Sequence, residues 1–315
     1  MAPGQLRPGY VPEPTTDHIG RVAFPNGEQP VRLGKLLWAL LFLSVPIFGV
    51  VSFWVCHQHG ALWPENISEV YGRKIDHLFD VITWITGIFF VGTELLLVYA
   101  MFTSKDEDAP EKADFVHGNR TLEIGWTLMA AAILIFVAFY QIPIWTEVKV
   151  QKPKKPADAH ITASMWMWQV RYPLWDEQAN APRKLDVVQP ALAETFELTN
   201  ELHIPAKETV LIYVTSRDVI HSFYVPKMRV KQDAVPGLLI PVWFDAVRPG
   251  NYEFYCAELC GPGHYMMRAR VVVHESRADY ERWLREQTAR LRAPGQPVQV
   301  MNTDTKSSVP TLAGN

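Results

Sequence analysis

Cys256-Ala257-Glu258-Leu259-Cys260-Gly261-Pro262-Gly263-His264-Tyr265-Met266-Met267 concentrates more metal-binding chemistry than any other stretch of this chain. It offers two thiols, an imidazole and a thioether within twelve residues. Glycine and proline let such a loop fold its ligands onto one centre. Thiolate and thioether donors select soft or redox metals such as copper, whereas a hard cation such as magnesium wants oxygen. Spacing alone leaves other readings open. The two cysteines could form a disulfide outside a membrane, join two histidines around zinc, or sit unligated in a core. Zinc leaves Met267 unexplained, and a disulfide leaves both His264 and Met267 unexplained.

Upstream, Asp218-Val219-Ile220-His221-Ser222-Phe223-Tyr224-Val225-Pro226 reads as a strand carrying a further imidazole, His221. Short β-rich runs recur at about 160–172, 194–200, 208–215, 219–225, 238–245, 251–256 and 268–274, jointed at Pro236-Gly237 and Pro249-Gly250-Asn251. Many short strands at this spacing predict a sandwich or barrel. Ser276 to about Arg292 predicts an amphipathic helix, with Ser276 as N-cap and Asp279 three residues on. Residues 157–292 thus form a β-rich domain with a C-terminal helix, and 293–315 read as a disordered tail.

Residues 1–35 are polar and rich in proline and glycine, and are expected to be an irregular arm. Residues 36–146 carry apolar runs at about 36–56, 78–102 and 122–145. About 20 such residues cross a bilayer core. The first run lacks the cleavage site of a signal peptide and is read as a retained helix, with Pro46 a possible kink. Arg7, Arg21, Arg32 and Lys35 precede it and place the N-terminus inside, so that three crossings put the β-rich half outside. Lys149, Lys152, Lys154 and Lys155 follow the third run and argue against that orientation. The formal net charge of −3 speaks against a nucleic-acid partner. No C-x-x-C-H haem attachment, Walker A loop or G-x-S-x-G elbow occurs.

The copper-type loop, the D-V-x-H-S-F-x-V-P strand, Lys231-Gln232-Asp233-Ala234-Val235-Pro236-Gly237, Trp166-Met167-Trp168 and Leu122-Glu123-Ile124-Gly125-Trp126-Thr127 together resemble cytochrome c oxidase subunit II, over roughly residues 75–290. The resemblance implies a membrane α-helical anchor of two to three transmembrane helices plus an all-β, cupredoxin-like Greek-key barrel. It implies two copper ions bridged by Cys256 and Cys260, one ligated by His221 and the other by His264, with Met267 and the Glu258 carbonyl as weaker ligands. The Glu258 carboxylate would face subunit I beside a magnesium ion. The implied partners are oxidase subunits I and III, a cytochrome c or a haem c domain on another subunit, and the lipid bilayer of a bacterial inner membrane. The implied activity is relay of electrons from cytochrome c to the haems of subunit I, where oxygen is reduced to water with proton translocation.

Two further roles follow from the resemblance. Trp166 would carry electron entry. Glu123 would stand at the entrance of a proton pathway, although a carboxylate at a helix N-terminus is also simply favoured by the helix dipole. Trp166 and Trp168 are expected to face opposite sides of one strand, one buried and one at the surface. Asp176, Glu177, Asp245 and Glu253 are candidates for an acidic ring around Trp166. Cys56, His57 and His59 flank the extra first helix, match nothing in the family and are read as structural. Related readings are the copper subunit of a nitric oxide reductase, a quinol oxidase subunit II, which typically lacks the copper ligands, and a copper-storage protein, which would want labile, exposed ligands.

Overall fold

The computed structural model describes residues 31–59, 64–103, 118–188 and 195–292. The stretches 1–30 and 293–315, read above as arm and tail, lie outside the described residues. Three helices, α1 (Val31–Gln58), α2 (Gly72–Thr103) and α3 (Arg120–Trp145), are long and apolar enough to cross a membrane. The helix reaches back to Val31, so residues 31–35 belong to α1 and not to the arm. Propagation adds a hydrogen bond for each residue fixed, which extends a nucleated helix past its apolar run. Asn119 caps α3, its side chain accepting from the Leu122 N–H at 3.1 Å. Pro143 lies near the end of α3, and a π-helical turn at Thr146–Val150 leads out of it.

The β-domain holds β1 (Ala159–Ser164), β2 (Met167–Pro173), β3 (Trp175–Asp176), β4 (Ala181–Pro182), β5 (Thr195–Thr199), β6 (Glu201–Pro205), β7 (Thr209–Ser216), β8 (His221–Val225), β9 (Val230–Ala234), β10 (Ile240–Asp245), β11 (Gly250–Cys256) and β12 (Arg268–His274). Two five-stranded sheets form, in the orders β10-β7-β1-β2-β5 and β6-β12-β11-β8-β9, with β3-β4 a small separate hairpin. A bridge between Ser216 and Pro236 links the sheets along one side. The apolar faces of both sheets bury one core that includes Ile161, Trp168, Val170, Phe223, Phe254 and Val271. Helix α4 (Arg277–Arg292) packs against β6, β12 and the β3-β4 hairpin, with Leu284 in the core. Ser276 caps it: the Asp279 N–H donates to Ser276 Oγ at 3.2 Å, and Ser276 Oγ donates back to the Asp279 carboxylate.

Two departures from the expected strands have local causes. The run 160–172 is a hairpin, β1 turning at Met165-Trp166 into β2, with Ser164 opposite Met167. The run after 194 is two strands in different sheets. Asn200 separates them with φ 57°, a left-handed conformation that asparagine tolerates. Its amide donates to the Trp168 carbonyl and its side-chain oxygen accepts from the Trp168 N–H, both at 2.8 Å.

Candidate metal centre

His221 opens β8, and Cys256 ends β11, the neighbouring strand. The loop after Cys256 turns back through Gly261, whose φ of 120° suits glycine. A short 3-10 turn over His264–Met266 then delivers Met267 to the head of β12. The Cys256 N–H donates to the Met267 carbonyl at 3.0 Å, which closes the loop at its base.

The donor atoms meet. Cys256 Sγ lies 3.7 Å from Cys260 Sγ, 3.9 Å from His221 Nδ1 and 3.2 Å from the Glu258 carbonyl oxygen. Cys260 Sγ lies 3.7 Å from His264 Nδ1 and 3.9 Å from Met267 Sδ. Both cysteines are free thiols, far outside the roughly 2.05 Å of a disulfide. Two sulfurs each about 2.3 Å from a shared ion would stand 3–4 Å apart, roughly the spacing seen. Among the described residues, His221, Cys256 and Cys260 are the group of histidine, cysteine and acidic side chains placed to hold a metal ion. His221, Cys256, Cys260 and Met267 are buried, His264 is half-buried, and the Glu258 side chain is exposed.

Asp218 has a role that the sequence reading did not assign. Its carboxylate lies 2.8 Å from His221 Nε2, which leaves Nδ1 facing Cys256. A carboxylate on the far nitrogen fixes the tautomer of a ligating histidine. Burial pushes the Asp218 pKa up, but the Met165 amide, His221 and the Val219 amide outweigh it and hold it below the usual range. The three-residue step from Asp218 to His221 was the available signal. Burial, then the hydrogen bond and charge of Cys256, push the Cys260 thiol up to about 12.

Trp166 is 37 % exposed and Trp168 is fully buried. The expected geometry is wrong, because residues two apart in one strand share a face. They differ because Trp166 lies in the turn outside β2, while Trp168 points into the core against His221, Phe223 and Phe254. The Trp166 ring lies on the metal loop, and its Nε1–H donates to the Cys260 carbonyl at 3.4 Å. Of the four candidates for an acidic ring, Asp245 is excluded by burial. Asp245 is 1 % exposed and is taken up by residues 68–71. Glu253 accepts from the Tyr255 hydroxyl, and Asp176 pairs with Arg183.

Three of the four lysines after α3 are likewise engaged. Lys149 bonds the Lys231 carbonyl, Lys152 the Tyr213 hydroxyl, and Lys155 the Thr209 carbonyl and Asp158. These bonds tie the segment after α3 to the β-domain. Glu123 lies in the first turn of α3 and is exposed.

A helical membrane anchor carrying a cupredoxin-like β-domain with a loop of soft donors defines a membrane-anchored metal-binding protein. Residues 160–275 match the family model described as cytochrome c oxidase subunit II, periplasmic domain, and residues 66–144 match its transmembrane domain. The chain belongs to the cytochrome c oxidase subunit II family. Its β-domain is the periplasmic domain of that family, which binds copper, and its helices anchor it in a membrane as part of an oxidase complex. It is 31 % identical to the alternative cytochrome c oxidase subunit 2 of Bradyrhizobium diazoefficiens, over 79 % of this chain and 91 % of that one. It is 34 % identical to cytochrome c oxidase subunit 2 of Thermostichus vulcanus, over 79 % and 85 %. Among solved structures, the periplasmic domain of subunit II of cytochrome oxidase from Bradyrhizobium japonicum matches at 26 % identity, with TM-score 0.36, over 45 % of this chain and all of that one. Helix α1 precedes both matched segments.

Proposed function

We propose that this chain is the electron-relay subunit of its oxidase. It accepts electrons from a cytochrome c, or from a haem c domain on another subunit, and passes them to the haems of subunit I for reduction of oxygen to water coupled to proton translocation. The observation that carries this reading is the convergence of His221, Cys256, Cys260, His264, Met267 and the Glu258 carbonyl on one loop end. These residues would hold two copper ions, which would supply one-electron redox chemistry at a site built from buried soft donors.

The chain's own residues supply the rest. Asp218 orients His221 so that Nδ1 faces the Cys256 sulfur. The buried sulfurs and the tight loop limit water and motion at the site, which suits a relay more than bond chemistry. Trp166, partly exposed and bonded to the loop carbonyl, is the entry point for electrons. The exposed Glu258 carboxylate would face subunit I and its magnesium ion. Glu123 would admit protons to subunit I, and subunit III completes the assembly. The β-domain would stand on the periplasmic side of a bacterial inner membrane.

Metal analysis and electron paramagnetic resonance of the purified chain test the core of this reading. Two coppers and one unpaired electron shared between two nuclei are expected in the oxidised form. One zinc, or a mononuclear copper spectrum, would overturn it.

A further inference from the structure

Residues 67–71, just before α2, are bound into the β-domain at a buried carboxylate that the metal site does not use. Asp245 ends β10 and is 1 % exposed. It accepts from Ser68 Oγ at 2.5 Å and from the backbone N–H groups of Glu69, Val70 and Tyr71 at 2.8, 3.1 and 3.2 Å. These amides belong to the turn that starts α2 at Gly72, where helix N–H groups lack partners within the helix. A carboxylate there is favoured by the dipole and by charge-assisted bonds. Four donors fill its roughly four acceptor positions.

The neighbouring residue of the same segment grips the metal-bearing sheet. The Ile67 N–H donates to the Lys227 carbonyl and the Ile67 carbonyl accepts from the Val247 N–H, both at 2.8 Å. Its side chain is buried in the main core. Lys227 follows β8, which begins at His221, and Val247 precedes β11, which ends at Cys256. The segment therefore holds the chain just beyond the far ends of the two ligand-bearing strands, ends that lie roughly 13–20 Å from the ligands at about 3.3 Å per residue. Arg229 adds a bond from the same side to Asp76 of α2 at 2.6 Å, and Lys74 of α2 pairs with Glu147 beyond α3 at 2.5 Å.

We propose that Asp245 is a positioning residue: by capping the start of α2 from the barrel, it locks the metal-bearing strands to the membrane anchor and fixes the metal loop relative to the membrane-embedded electron acceptor. This rests on the electron-relay reading above. Asp245→Asn would keep the shape but replace two acceptor positions by an NH2 group that faces donors.

The test compares the wild-type oxidase complex with complexes carrying Asp245→Asn or Ser68→Ala. It follows the copper spectrum, reduction of copper by a soluble donor, electron transfer from copper to haem, and amide exchange at residues 69–71. In Asp245→Asn the first two are expected to be unchanged while exchange at 69–71 accelerates. Transfer to haem should slow by about tenfold or more, since misplacement by an ångström costs positioned reactions up to about 10²-fold. Ser68→Ala, which removes one of the four bonds, should show a smaller loss of both protection and rate. Native transfer in a variant whose amide protection is lost would overturn the proposal, as would unchanged protection. If Asp245→Asn does not assemble, Ser68→Ala decides by the same two readouts. A wild-type complex without copper-to-haem transfer would instead overturn the relay reading, while the exchange measurement still reports on the clamp.

Discussion

Gly263→Ala should be damaging because of one side chain, Trp166. A Cβ on Gly263 would lie 2.3, 2.6 and 2.7 Å from the Cδ2, Cγ and Cε3 atoms of the Trp166 ring, and these are its three nearest neighbours. Restoring van der Waals contact requires the ring to move by about 1–1.5 Å, since carbon atoms rest about 3.5–4.0 Å apart. The backbone itself offers no obstacle, because Gly263 has φ −89° and ψ 6°. Overpacking of this kind costs about 1–3 kcal/mol. The Trp166 hydrogen bond to the Cys260 carbonyl, already long at 3.4 Å, would be lost with the shift. In a Trp166→Ala background the same glycine change should be neutral or stabilising by about 0.4–1 kcal/mol, because alanine restricts the unfolded chain. The assay is a double-mutant cycle by guanidinium unfolding of the purified chain, read in the β-domain, with reduction by cytochrome c measured in parallel. Gly263→Ala alone should slow that reduction while both cysteines still bind metal. Equal costs of Gly263→Ala in the two backgrounds would refute the reasoning, since the clash would then not be with Trp166.

Copper affinity of the metal-free chain should rise with pH, because each thiol must lose its proton on binding and burial beside Cys256 holds that of Cys260 to about 12. Competition titrations between pH 6 and 8 should show an increase of up to about tenfold per pH unit for each proton displaced, and a flat profile would refute it. Acid should destabilise the β-domain through His160, which is 4 % exposed and whose pKa burial and then Arg171 lower to about 4. The depressed value means that the unfolded chain binds the proton first. Stability is therefore full above the unfolded value of about 6.5 and falls as pH drops toward 4, by on the order of 3 kcal/mol. His160→Phe should flatten that dependence, and an unchanged slope in pH-dependent unfolding would exclude His160 as its source. Glu123→Ala should slow turnover of the complex under proton-limited conditions without altering the copper spectrum, and native turnover there would remove Glu123 from the proton path. Removing the carboxylate bonded to His221 Nε2 with Asp218→Ala should weaken copper binding about 10–100-fold by freeing the His221 ring, and unchanged affinity by chelator competition would refute that role.

What the sequence determined by itself is what short-range chemistry encodes. Cys256 to Met267 is one loop, so its donors are near one another whatever the rest of the chain does. The apolar runs had to become helices, since backbone polar groups in a bilayer must be satisfied within the segment. Ser276 and Asp279 start α4 through contacts three residues apart. Only the tertiary structure decided the remainder. His221 reaches Cys256 because β8 pairs with β11, with Phe223 opposite Cys256, a register that pairing across the sheet sets. Trp166 and Trp168 part because Trp166 lies in the hairpin turn and Trp168 in β2, and the strands 201–205 and 230–234 carry no local strand signal. The first is joined to β5 by a single left-handed Asn200, and the second, Val-Lys-Gln-Asp-Ala, is a polar edge strand. Asp245 looked like a surface acid in sequence. It is buried because four donors from residues 68–71, over 170 positions away in the chain, arrive at its carboxylate. A charge is buried or exposed according to the partners that folding brings to it, and those partners are not in its local sequence.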